Sequence, residues 1–151
     1  MTLRLISAAL VSGTVLLGGC SRAVAVPDPA PAGSDLAACT RLMADLPASV
    51  LDQDRREAEP GRFSAAWGDP AITLRCGVSK PPTLNLASQC LEVNGVGWFV
   101  EEAQGGQLFT TIGRQTYVEL AVPSEYAPES GALVDVAATV SAHDRLLKAC
   151  V

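Results

Sequence analysis

Leu91-Glu92-Val93-Asn94-Gly95-Val96-Gly97-Trp98-Phe99-Val100-Glu101 is the stretch on which the fold turns. Asn-Gly suits the two consecutive left-handed residues of a tight hairpin turn, so residues 91–93 and 97–101 read as its antiparallel arms. The strand signal continues outward on both sides. Residues 71–76 set Ile72, Leu74 and Cys76 against Ala71, Thr73 and Arg75, a period of two with one apolar side. Residues 108–112 form another candidate strand, closed by Gly113-Arg114. Residues 116–122 alternate Val118, Leu120 and Val122 with Tyr117, Glu119 and Ala121 until Pro123 ends the run.

Helical spacing flanks this block. Leu36, Cys39, Met43 and Leu46 share one face, with Ser34 or Asp35 as a cap and Pro47 as a stop. The spacing predicts a second helix over residues 132–149, with Leu133, Val136, Val140 and Leu147 on one broad face. Asp135 falls near its positive end, Lys148 near its negative end, and Asp144 and Lys148 are an i,i+4 pair. The charge run 52–59 reads as a solvated connection or edge strand. The expectation is an α+β domain: an antiparallel sheet of about four to six strands, disulfide-stapled, with an N-terminal and a C-terminal helix on one face. The alternative is a Greek-key β domain with weak helices.

Residues 1–19 carry an address. Arg4 precedes an apolar run from Leu5 to Leu17, which ends in Leu17-Gly18-Gly19-Cys20. The run is shorter than the ~20 residues a spanning helix needs, and small residues close it, as in a secretory signal. The last four residues look like a lipobox, with the Cys20 thiol as the site of lipid attachment. Residues 20–34, rich in Pro, Ala, Val and Gly, read as a lipidated cysteine and flexible tether. Residues 35–151 then form a single extracytoplasmic domain, held by lipid to the outer face of the cell membrane.

Charge and cysteine usage agree with export. Removing residues 1–19 takes away Arg4 alone among charged residues, leaving 10 basic against 16 acidic side chains in 132 residues, net −6. That balance disfavours nucleic acid and a polybasic membrane patch. Cys39, Cys76, Cys90 and Cys150 are an even set in an oxidising compartment and permit three pairings. The preferred pairs are Cys76–Cys90, closing a loop with Pro81-Pro82, and Cys39–Cys150, tying first helix to last. Their spacing, with His143 as the sole histidine, lacks paired zinc knuckles, so no metal or cofactor is expected.

Several short runs together resemble a known family. Residues 65–72 (Ala-Ala-Trp-Gly-Asp-Pro-Ala-Ile) lead into residues 74–78 (Leu-Arg-Cys-Gly-Val). Cys90, residues 93–96 (Val-Asn-Gly-Val), Trp98 and residues 109–114 (Phe-Thr-Thr-Ile-Gly-Arg) follow. With Cys39 and Cys150, they resemble an actinobacterial lipoprotein family catalogued as domain of unknown function 3515. The resemblance covers residues 35–150 and implies a lipoprotein address without supplying a reaction.

No catalytic constellation emerges. Ser141, His143 and Asp144 lie too close along one helix to converge as a triad. Asp69 and Glu119 are formal acid–base candidates, but Asp69 before Pro70 reads as a turn residue. The candidate recognition surface comprises Trp67, Asp69, Arg75, Trp98, Phe109 and Arg114, since aromatic area beside arginine suits protein or carboxylate recognition. The competing reading puts the tryptophans in the core, Arg75 on an exposed strand face and Arg114 in a turn. The expected function is a noncatalytic, lipid-anchored envelope accessory protein with a protein partner. A binding module for a small envelope ligand, lipid or glycan fragment, is the alternative, and an enzyme of unrecognised type a third.

Overall fold

The computed structural model describes residues 22–150. The expected signal segment, residues 1–19, and the expected lipidation site Cys20 lie outside the described residues. The main sheet contains β2 (Ser49–Val50), β3 (Gln53–Arg56), β5 (Ser64–Trp67), β6 (Ile72–Cys76), β7 (Leu91–Val93), β8 (Val96–Ala103), β9 (Gly106–Ile112) and β10 (Val118–Pro123). Its order is β2-β3-β5-β6-β10-β9-β8-β7, and all neighbours are antiparallel. This eight-stranded sheet corrects the expected four to six strands. A parallel pair, β1 (Val24–Val26) with β4 (Ala58–Pro60), forms a separate two-stranded sheet beside β5.

The additional strands lie at the β2 edge, and each hides for a physical reason. All four residues of β5 are buried, so Ser64-Ala65-Ala66-Trp67 shows no alternation. β3 is polar throughout, and the turn before it places Leu51 and Asp52 at φ 49° and 59°, a conformation usually left to glycine. The expected hairpin is present: Val93 faces Val96, with Asn94 at φ 49° and Gly95 at φ 76° between them.

Two helices, α1 (Gly33–Ala44) and α2 (Gly131–His143), touch each other and cover one face of the sheet. α1 buries Ala38, Cys39 and Leu42, and α2 buries Ala132, Leu133, Val136, Ala137 and Val140. They meet the inward residues Ile72, Leu74, Val118, Leu120 and Val122, while Trp67, Trp98 and Phe109 complete the core. Ser34 and Asp35 lie inside the first turn of α1 and do not cap it; the N-cap is Ala32. α2 stops at His143, well before residue 149. Buried Asp144 adopts an extended conformation and accepts the Thr116 N–H through Oδ1. Beyond it, the chain bridges to Arg114 through Leu146, and Leu147 is exposed.

The disulfides are Cys39–Cys76 and Cys90–Cys150, correcting the preferred pairing of the same four cysteines. Strand alternation supplies the reason. Cys76 shares the inward side with Ile72 and Leu74 and meets Cys39 of α1 there. Cys90 and Cys150 lie over Gly97 on the other side: a Cβ there would stand 2.5 Å from the Cys150 sulfur and 2.9 Å from that of Cys90. The segment 22–32 also differs from a free tether. β1 pairs with β4, Val26 is buried, and Asp28 accepts hydrogen bonds from the Arg62 N–H and the Ser64 hydroxyl.

Candidate functional site

Among the described residues, neither α1 nor α2 covers the second face of the sheet. Alternation sends Thr73 and Arg75 of β6, Glu119 and Ala121 of β10, Leu108 and Thr110 of β9, and Phe99 and Glu101 of β8 to this side. The register places Glu119 between Arg75 and Thr110, and Leu108 between Ala121 and Glu101. Residues 77–90 must travel from central β6 to edge β7, past β10, β9 and β8. They act as a strap along this face, where Thr83 donates to Glu101 Oε1 at 2.5 Å.

Between strap and sheet lies a cleft of about 660 Å³. Arg75, Leu108 and Glu119 line it together with Asp28 from the N-terminal segment and Lys80 from the strap. Arg75 donates from Nε to Glu119 Oε1 at 2.7 Å, and its Nη2 lies 2.5 Å from the same oxygen. The pair is partly exposed, at 33% and 13% of the two side chains, so solvent and ligands can reach it. A neighbouring groove of about 440 Å³ lies between residues 84–90 of the strap, Ile112, Tyr117 and the C-terminal segment.

The six residues of the expected recognition surface are dispersed. Trp67, Trp98 and Phe109 are fully buried. Trp67 donates its indole N–H to the Pro47 carbonyl, and the Arg55 guanidinium stands 5.4 Å from its ring centre. Arg114 is buried beneath the C-terminal segment, donating to the Asp144 and Gly95 carbonyls and the Ser141 hydroxyl. Asp69 projects from the β5–β6 turn, 3.8 Å from Arg56. Arg75 alone of the six lines the cleft. Lys80, Glu101 and Lys148 also line these hollows, and nothing local in the sequence marks a strap or a C-terminal segment that folds back over a sheet.

The sole histidine and the buried Asp144 are engaged in the scaffold. His143 contacts Asp45 at 3.0 Å, while Ser141 engages Arg114, so the neighbours in sequence do not form a triad. Burial raises the Asp144 pKa to about 6, opposed by the Thr116 N–H, the Arg114 charge and the Gln115 N–H. Burial lowers the Arg114 pKa, with Asp144 opposing. Among the described residues, no cluster of three or more His, Cys, Asp or Glu side chains suits a metal ion, and no helix is long and apolar enough to cross a membrane.

The family model described as "Protein of unknown function (DUF3515)" matches residues 2–146. The chain belongs to this family. The matched span contains both helices and the whole sheet, and stops short of Cys150. No curated protein and no solved structure matches the chain.

Proposed function

We propose that this is a noncatalytic accessory protein of the actinobacterial cell envelope, exported, anchored through lipid on Cys20, and docking an envelope protein on its open sheet face. The carrying observation is the partly exposed Arg75–Glu119 pair within the strap-bordered cleft. Such a pair offers a partner oriented charge without the full cost of burying an isolated ion. The address rests on Leu17-Gly18-Gly19-Cys20, the preceding apolar run and the family resemblance. A noncatalytic role accords with the structural engagement of Cys39, Cys76, Cys90, Cys150 and His143.

Crosslinking and mass spectrometry of the membrane-anchored protein test this reading. A partner enriched with the native chain and lost in Arg75→Glu supports the docking face. A partner captured equally well by that variant removes the cleft from the interface. Metabolic lipid labelling of Cys20→Ala tests the address independently, since retained labelling rules out Cys20 as the anchor.

A further inference from the structure

Lys80 and Lys148 are the only lysines in the sequence, and both line the groove beside the cleft. One comes from the strap and the other from the segment following α2. The placement of Lys148 is built into the backbone: the N–H groups of Leu147 and Lys148 both donate to the Gly113 carbonyl at 2.8 Å. Gly113, at φ 73°, permits this approach because a Cβ there would collide with the Lys148 carbonyl. The disulfide Cys90–Cys150 closes the same end of the groove.

The lining chemistry is lopsided. Half-buried Leu84, Ile112 and Tyr117 supply apolar surface beside the fully exposed Leu86, and no Asp or Glu among the described residues lines the groove, although acidic residues outnumber basic ones 16 to 11 in the chain. Neither lysine forms an ion pair among the described residues. Two lysines without an Asp or Glu partner among the described residues, lining a groove together with apolar side chains, complement a ligand with an anionic head and an apolar tail. The volume of about 440 Å³ lies within the range of small-molecule pockets.

We propose that this groove binds a single-chain anionic amphiphile, with its carboxylate or phosphate held by Lys80 and Lys148 and its alkyl chain along Leu84, Ile112 and Tyr117. The site is separate from the docking face of Arg75 and Glu119, although Lys80 borders both.

Having two lysines makes the test site-specific. The full chain, carrying ¹³Cε-lysine and held in phosphatidylcholine nanodiscs, would be titrated with decanoate and with decyl phosphate. The expected result is saturable movement of both lysine signals with either anion, and none with decanol, acetate or inorganic phosphate at the same free concentrations. Ile112→Asp, which keeps both reporters, should weaken binding at least tenfold. Lys148→Gln, read through Lys80, should do the same. Lysine signals that stay fixed, movement of only one of them, or an equal response to decanol would overturn the proposal. Response to only one of the two anions would retain the site and identify its head group. Arg75→Glu should leave this binding within about twofold, which separates the groove from the protein-docking reading.

Discussion

The two faces of the sheet are made by the same strands and behave as different materials. On the helix-covered face, Ile72, Leu74, Val118, Leu120 and Val122 form a continuous apolar layer beneath α1 and α2, stapled by Cys39–Cys76. One residue along each strand, Thr73, Arg75, Glu119 and Ala121 face the strap and two hollows. A fully buried aliphatic side chain contributes about 1.5–3 kcal/mol, whereas a solvent-accessible ion pair contributes about 1 kcal/mol or less. The helix side therefore holds the fold, and the strap side is free to carry charge and open volume. A strand can serve stability and recognition together because its period of two keeps them apart.

The disulfides give this contrast its largest test. The simple loop-entropy relation gives each about 4 kcal/mol, slightly favouring Cys90–Cys150, with its separation of 60 residues against 37 for Cys39–Cys76. The faces predict the reverse order, because Cys39 and Cys76 also fill the core. Denaturant unfolding of Cys39→Ala/Cys76→Ala should show a loss of about 4 kcal/mol or more, exceeding that of Cys90→Ala/Cys150→Ala. Equal losses would undo the distinction.

Leucine truncation gives the next largest difference. Leu120→Ala on the covered face should cost about 2–5 kcal/mol in the same assay. Leu108→Ala, half-buried on the cleft side, should cost less than about 1 kcal/mol, as surface substitutions generally do. A comparable cost at Leu108 would mean that the strap side is packed as a second core.

Asp144 tests the seam where α2 passes into the C-terminal segment. Its folded pKa of about 6 lies above the ordinary 3.8, so the folded protein binds the proton more tightly. This contribution is present below pH 3.8 and is lost as pH rises through 6, a difference of up to about 3 kcal/mol. The stability of Asp144→Asn relative to the native chain should therefore improve by up to that amount between pH 4 and pH 7. Paired denaturation curves check it; a shift of opposite sign would show that Arg114 holds Asp144 ionised. The smallest effect belongs to the cleft. Arg75→Ala should change stability by about 1 kcal/mol or less while abolishing partner crosslinking.

Much of the covered face was legible as pattern, because Ile72, Leu74 and Cys76, and likewise Val118, Leu120 and Val122, repeat at the strand period. The Asn94-Gly95 turn was legible because few other pairs tolerate two left-handed residues. β5 was not, since burial on both sides erases alternation. Trp67, Trp98 and Phe109 illustrate the limit for sites: an aromatic looks alike in sequence whether it fills a core or greets a partner. Arg114 likewise gives no local sign that backbone carbonyls will surround it.

Local chemistry in the sequence sufficed for the strand period of the central block, its hairpin turn, the oxidisable set of four cysteines and the family. Each depends on residues within a few positions, or on counts and motifs that folding does not alter. Tertiary structure decided the eight-stranded order, the disulfide partners, the early end of α2 and the placement of Lys80 and Lys148 on one groove. Those outcomes depend on which side of a strand faces the helices, and on where a long connection crosses the sheet. Both are properties of the packed whole, because apolar surface can be buried only against a partner that the rest of the chain supplies.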